Sequence, residues 1–231
     1  MIPWEVIDRA KVPEHAGEVT LLKRGREFSI RTEETELMNS RTHGSEDALA
    51  EFTYSRMNQK SNLRILIGGL GMGYTLAAAL ELSKPDTRII VSELIPAVVR
   101  WNREYLGHLA GMPLTDPRVS VEEEDVGKII SRKKNIWDAI LLDVDNGPAG
   151  LTRKSNDRLY GRSGLQKSFL ALQPNGILAV WSSAIDETFT HRLKQCGFKT
   201  QTLTVRARKS GKGGKHTIWI AEKFPSKKIF S

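Results

Sequence analysis

The 231-residue sequence has a single cysteine, Cys196, and no uninterrupted run of 18 apolar residues. One cysteine excludes an internal disulfide and a cysteine-rich metal site, and no segment is long and apolar enough to form a membrane helix. The first residues also lack the apolar region of a signal peptide. We therefore expect a soluble, cytoplasmic protein of a reducing compartment that has no membrane partner.

Several common catalytic patterns are also missing. The sequence has no P-loop, no zinc-binding pattern and no Ser-His-Asp order, and its five histidines lack the spacing of metal ligands. No bound metal is expected.

Positive charge is in excess, because 35 lysines and arginines outnumber 27 aspartates and glutamates, which gives a formal net charge of +8. Part of the surplus falls in the glycine-rich segment 206–215 and in the C-terminal tail. Such a segment is either a solvated loop or a face that binds nucleic acid, and both interpretations stay open.

The stretch Arg64-Ile65-Leu66-Ile67-Gly68-Gly69-Leu70-Gly71-Met72-Gly73 organises the chain. It leads from an apolar run of strand length through alternate glycines into an alanine-rich, helix-forming run. Glycine lets the backbone turn sharply and lets a ligand lie against it. The pattern predicts the strand, turn and helix of a nucleotide-binding unit, with Gly69, Gly71 and Gly73 in contact with the ligand.

Downstream of residue 63, apolar runs alternate with helical patterns, which predicts a parallel sheet covered on both faces. Candidate strands are 63–67, 88–92, 118–121, 137–143 and 176–181. Two further β-prone runs, 198–207 and 216–221, are joined by a short glycine-rich loop and predict an antiparallel hairpin. The fold class is therefore α/β, with a Rossmann-like, mainly parallel sheet of seven strands that ends in an antiparallel hairpin, the plan of class I methyltransferases.

The N-terminal part has a different character. Residues 18–23 and 27–31 predict a β-hairpin, a third short strand ends near Met38, and Ser45 is the expected N-cap of a helix. We divide the chain into a short β-rich appendage, residues 1–44, and the main domain, residues 45–231.

Three acids follow predicted strands, at the edge where open α/β sheets bind ligands. Glu93 lies 20 residues beyond Gly73, the spacing at which a carboxylate accepts ribose hydroxyls. Asp125 is placed to accept from an adenine amino group. Asp143 ends the most apolar strand and is the candidate base. For each acid, a role in capping or solvation is the alternative.

These residues resemble the spermidine/spermine synthase (polyamine aminopropyltransferase) family, which uses the class I methyltransferase fold. The matching segments run in consistent order over residues 45–185: 45–57, 65–73, 93–99, 116–125, 137–143, 147–149 and 170–178. The resemblance implies that Glu93, with Leu94, holds the ribose, that Asp125, with Val126, holds the adenine side, and that Asp143 holds the amine nucleophile.

The chain departs from the family in the acceptor half of the site. Gly71 stands where the family has an acid, and Asn146 aligns with the second acid of its catalytic loop. Asp145 is a candidate substitute. Trp181, a stacking platform or a core residue, and His43, beside the start of the entering helix, complete the predicted acceptor pocket.

The sequence thus predicts a transferase that binds S-adenosylmethionine or its decarboxylated form and yields S-adenosylhomocysteine or methylthioadenosine. The acceptor is a small nucleophile, with an amine among the candidates. A nucleic-acid methyltransferase and a non-catalytic nucleoside-binding protein remain alternatives, and a homodimer stays open.

Overall fold

The computed structural model describes residues 2–13, 17–33, 35–57, 60–144, 158–207 and 213–224. They form a small antiparallel sheet at the N-terminus and a seven-stranded sheet flanked by helices. No helix in these ranges is long and apolar enough to cross a membrane.

The N-terminal sheet has four strands in the order β1-β2-β3-β4. They are β1 (Glu5–Lys11), β2 (Glu18–Arg24), β3 (Glu27–Arg31) and β4 (Glu36–Asn39). Val19 and Leu21 of β2 are buried in the alternation expected when one face of a sheet covers a core, whereas Phe28, Ser29 and Ile30 of β3 are all buried. The sequence predicted β2, β3 and β4, whereas β1 was missed. The proposed boundary between the appendage and the main domain stays a prediction.

The main sheet has the order β10-β11-β9-β8-β5-β6-β7. Its strands are β5 (Arg64–Gly68), β6 (Arg88–Ser92), β7 (Val119–Glu122), β8 (Trp137–Leu142), β9 (Leu172–Ser182), β10 (Phe198–Arg206) and β11 (Lys215–Lys223). Strands β5 to β9 pair in parallel, and β11 pairs antiparallel with both β9 and β10. The predicted fold class is confirmed, including the C-terminal hairpin.

Six α-helices are described: α1 (Gly44–Tyr54), α2 (Tyr74–Leu82), α3 (Pro96–Trp101), α4 (Val126–Arg132), α5 (Arg162–Ala171) and α6 (Glu187–Gln195). They cover both faces of the main sheet, because alternate residues of the parallel strands are buried in two separate clusters. Ile65 and Ile67 of β5 pack on the side of α1 and α2, while Leu66 packs on the side of α4 and α5. This two-sided burial explains why the central strands are apolar without alternation.

The start of α1 differs from the prediction that Ser45 is the N-cap. The helix begins at Gly44, and His43 is the N-cap, without a side-chain capping bond. The amide of Gly44 donates to the carbonyl of Ala207 at 2.8 Å, which fixes the chain one residue earlier, against the end of β10. Ser45 therefore lies within the first turn, fully buried, and its hydroxyl bonds to other side chains.

Candidate functional site

The glycine loop between β5 and α2 adopts a backbone that side chains rarely allow. Gly69, Gly71 and Gly73 have φ values of 89°, 52° and 84°. A Cβ on Gly69 would lie 2.1 Å from the carbonyl oxygen of Asp143, so the loop passes directly against the end of β8. Glycine is required at this position because any side chain would collide with backbone. The loop and the strand-end acid are thereby held together.

Gly71 is covered by the N-terminal sheet. A Cβ on Gly71 would lie 2.7 Å from Sδ of Met38 in β4, so a methionine fills the space beside this glycine. Beneath the loop, Nδ2 of Asn102 donates to the carbonyl of Gly71 at 2.7 Å and to that of Val98 at 2.9 Å. The loop is therefore fixed from both sides before any ligand binds.

Glu93 joins the glycine loop to the turn after β6. One carboxylate oxygen accepts from the amide of Leu70 at 2.9 Å, and the other accepts from that of Ile95, also at 2.9 Å. Burial raises the pKa of Glu93, and the backbone amides, including that of Leu94, oppose this by stabilising the anion. A carboxylate oxygen has a second lone pair, so the same group can also accept from ligand hydroxyls.

Asp125 follows β7 and is the N-cap of α4. Its Oδ1 accepts from the amide of Gly127 at 2.6 Å. The next residue, Val126, is buried, and its side chain would be 2.9 Å from a Cβ on Gly68 at the end of β5. Asp125 thus stands at the ligand edge of the sheet with a capping role, while Val126 packs beneath the loop.

Asp143 lies directly after β8, the most deeply buried strand of the central sheet. Its amide donates to the carbonyl of Gly68 at 2.9 Å, and its Oδ2 accepts from the hydroxyl of Thr75 in α2 at 2.6 Å. Burial raises the pKa of Asp143 to about 6, against the opposing effect of the Thr75 hydrogen bond. A carboxylate with this pKa takes up and releases a proton near neutral pH, as a general base must.

Glu46, in the first turn of α1, is a second acid near Asp143, and the sequence analysis did not single it out. Its side chain is 7% exposed. Burial, followed by the negative charge of Asp143, raises the pKa of Glu46 to about 8. The Thr75 hydroxyl, 2.6 Å from Oδ2 of Asp143 and 3.4 Å from the main-chain carbonyl of Glu46, shows that α1 carries Glu46 close to Asp143. Two neighbouring acids at a helix start, Glu46 and Asp47, were the sequence signal, but a helix dipole explains such a pair equally well.

Trp181 lies at the end of β9 and is 8% exposed. Its ring meets that of His216 in β11 edge-on, with 4.8 Å between centroids. Its indole nitrogen is buried and has no hydrogen-bond partner within the described part of the chain. The ring of His216 in turn reaches Ser45, with 2.8 Å between Nδ1 and Oγ. Trp181 is therefore joined to the start of α1 through His216.

His43 also makes contacts at the start of α1. Its ring stacks on that of Tyr74 with 4.1 Å between centroids, and its Nδ1 lies 2.9 Å from Oδ2 of Asp47. Burial, together with the charges of Glu46 and Asp47, raises the pKa of Tyr74 to about 12. His43 therefore contacts the acids at the start of α1 through Asp47.

Two predicted pocket residues, Asp145 and Asn146, lie outside the described residues, as do residues 208–212 of the basic segment. No group of three or more His, Cys, Asp or Glu side chains that could hold a metal ion occurs in the described ranges. The arrangement of these side chains is suited to binding a neutral or cationic ligand beside a proton-accepting carboxylate.

The sheet order and the glycine loop define a Rossmann-like α/β protein of the class I methyltransferase type, with its candidate site at the carboxyl edge of β5, β6 and β8. The profile of the family described as "spermine/spermidine synthase domain" matches residues 47–205. The chain belongs to this family.

Similar proteins agree with the assignment. A polyamine aminopropyltransferase of Prochlorococcus marinus is 27% identical over 139 residues, which is 60% of this chain and 46% of that protein. The crystal structure of spermidine synthase from Thermotoga maritima superimposes with a TM-score of 0.74 at 17% identity, covering 94% of this chain and 72% of that one. A spermidine synthase in complex with the transition-state analogue AdoDATO gives 0.73 at 17% identity, with the same coverage. This chain spans about half the length of its curated relative.

Proposed function

We propose that the protein is a transferase that binds an adenosyl sulfonium donor on the glycine loop and transfers a group from it to an amine. The observation that carries the proposal is the environment of Asp143. Its main-chain carbonyl lies against Gly69, its carboxylate accepts a hydrogen bond from Thr75, and burial raises its pKa to about 6. The family relationship supports the same reaction class.

The donor half of the site rests on Glu93 and the loop. A rigid glycine backbone accommodates a nucleoside at close range, and Glu93 is placed to accept its ribose hydroxyls while Leu94 follows in the same turn. Asp125 and Val126 bound the adenine side. The structure of a relative with AdoDATO supports a donor of this type. S-Adenosylmethionine and its decarboxylated form are both retained as candidates.

The reaction requires the protein to position the two substrates and to remove one proton. An ammonium is not a nucleophile until it loses a proton, and Asp143 is the group that accepts it. The amine then attacks the carbon next to sulfur, and the carbon–sulfur bond breaks with its electron pair moving to sulfur. Because a sulfonium is a good leaving group, alignment of the two substrates supplies most of the remaining acceleration.

The acceptor pocket is expected to differ from that of the family. Gly71 has no carboxylate and is covered by Met38, while Glu46 places an acid in the first turn of α1. Trp181 is connected to the same helix turn through His216 and Ser45, and His43 contacts Asp47 there. The proposed acceptor therefore presents one ammonium group to Asp143 and Glu46, with Asp145 and Asn146 as further candidate contacts.

The test is a product assay. Purified protein is incubated with each donor and a panel of mono-, di- and polyamines, and mass spectrometry separates methylthioadenosine, from aminopropyl transfer, from S-adenosylhomocysteine, from methyl transfer. Asp143→Asn should reduce turnover by about 100-fold or more, as expected for loss of a general base. Asp86→Asn, a surface change remote from the loop, is the matched control.

Failure of both products with every amine would contradict the transferase proposal. Tight binding of the nucleoside without turnover would instead favour the non-catalytic alternative. The nucleic-acid alternative is motivated by the net charge of +8 and by two basic residues, Arg206 and Lys215, that lie opposite each other in β10 and β11. It requires RNA or DNA binding that weakens steeply with salt.

A further inference from the structure

We propose that Glu46, Ser45 and His216 form a proton relay that leads from the acids beside Asp143 to the edge of the β10–β11 hairpin. The inference rests on the proposed function, because the proton that it carries is the one the acceptor amine gives up.

Two hydrogen bonds define the relay. Ser45 Oγ donates to Oε2 of Glu46 at 2.5 Å, and Nδ1 of His216 lies 2.8 Å from the same Oγ. Ser45 is fully buried and His216 is partly exposed. The three side chains therefore connect a buried acid to a group that reaches solvent, across 171 residues of sequence.

A hydroxyl is suited to the central position because it both donates and accepts. When Glu46 is ionised, the Ser45 proton points to its carboxylate and the oxygen accepts from His216 Nδ1–H. When Glu46 is protonated, it donates to Ser45, whose own proton then turns to an unprotonated Nδ1. When a proton passes outward, the donor and acceptor exchange roles in both hydrogen bonds, and no heavy atom has to move.

Asp143 and Glu46 are linked through Thr75, and the charge of Asp143 contributes to the raised pKa of Glu46. The Thr75 hydroxyl spans the gap, at 2.6 Å from Oδ2 of Asp143 and 3.4 Å from the main-chain carbonyl of Glu46. With pKa values of about 6 and about 8, the pair holds one proton near neutral pH. A second proton, taken from the acceptor by Asp143, must leave before the next turnover, and the hydrogen bonds of Glu46 lead away from the pair toward His216.

Two other titratable groups lie near Glu46, and the charge of one of them, Asp47, contributes to the raised pKa of Glu46. Asp47, on its own helix, pairs with His43, and Tyr74 on α2 has a pKa of about 12, so it stays neutral. Burial lowers the pKa of His216, which leaves this ring neutral at pH 7 and able to accept a proton on Nδ1 and release one from Nε2.

NMR titration tests the relay without any assumption about turnover. With 15N-labelled histidine, the ring shifts of His216 should follow two steps in the wild type, one from the ring and one from Glu46. Glu46→Gln should remove the second step, and Ser45→Ala should uncouple the ring from it. His191→Gln, on α6 and remote from the relay, should leave both steps in place. A single His216 step that is the same in all variants would overturn the proposal.

A kinetic experiment tests the relay separately from the proposed function. If turnover is found, Ser45→Ala and His216→Gln should lower kcat by roughly 10-fold or more, leave KM for the donor unchanged and alter the pH profile. Unchanged kcat and pH profiles would refute the relay while the transferase proposal stood. If no donor and acceptor pair reacts, the transferase proposal fails, and the titration alone decides whether the relay exists. The backbone amide spectrum of each variant establishes that it is folded, and His216→Gln replaces Ser45→Ala if the buried change unfolds the protein.

Discussion

The hydroxyl of Thr75 donates a 2.6 Å hydrogen bond to Oδ2 of Asp143, so the first turn after the glycine loop holds the carboxylate at the end of β8. This bond stabilises the anion and lowers the pKa of Asp143 against the effect of burial. Thr75→Val keeps the shape and removes the donor, so the pKa of Asp143 should rise by about one unit, which corresponds to about 1.4 kcal/mol.

The measurement is the 13C shift of the Asp143 carboxyl against pH, or the acid limb of the activity profile. Thr75→Ser retains the hydroxyl and is the matched control. Equal pKa values for Asp143 in the two variants would show that the hydrogen bond does not influence the carboxylate.

Glu93 accepts from two backbone amides and is proposed to hold the ribose as well. Glu93→Gln replaces one acceptor oxygen by a donor, which must face an amide or a ligand hydroxyl. We expect nucleoside affinity to fall by about 10- to 100-fold, in line with the cost of an unsatisfied buried polar group. Isothermal titration with S-adenosylhomocysteine and with methylthioadenosine measures the loss. Glu123→Gln, an exposed acid after β7, should bind like the wild type; equal affinity in both variants would remove Glu93 from the site.

The fold was predictable because its signals are local. Apolar runs, the alternate glycines and the strand-end positions of Glu93, Asp125 and Asp143 can all be read within a few residues of sequence. The seven-stranded sheet and its antiparallel hairpin follow from that order. The roles of these acids stay predictions, although the structure places Glu93 and Asp143 against the same loop.

The remaining features depend on residues distant in sequence. Ser45 was expected to cap α1, but its hydroxyl bonds His216, and the cap position is fixed by Ala207. Glu46 looked like an ordinary first-turn acid until the fold brought it to Asp143. Strand β1 lacks the strong apolar alternation of β2, so tertiary pairing with β2 defines it.

Gly71 occupies the position at which the sequence resemblance places an acid of the family. Its φ of 52° and the nearby Sδ of Met38 both oppose a side chain. Gly71→Ala should cost about 1–2 kcal/mol of stability, mainly from the left-handed backbone, because the end of a methionine can move away. Chemical denaturation of Gly71→Ala with and without Met38→Ala separates the two causes. If the cost disappears in the Met38→Ala background, the contact rather than the backbone is responsible.

Glu46 should make stability depend on pH in a defined direction. Its pKa is about 8 in the folded protein and 4.5 ordinarily. Between these values the unfolded chain has released the proton while the folded protein retains it, so this group favours unfolding increasingly as pH rises through the window. Glu46→Gln abolishes the effect. Relative to the wild type, the variant should gain on the order of 2 kcal/mol between acidic conditions and a pH of about 8.5.

Urea denaturation across this range measures that difference, and Glu81→Gln, an exposed acid on α2, supplies the reference in which the difference from wild type stays constant. A constant difference for Glu46→Gln as well would mean that Glu46 titrates like a surface acid. The repulsion between Glu46 and Asp143, and with it the shared proton from which the relay starts, would then be absent.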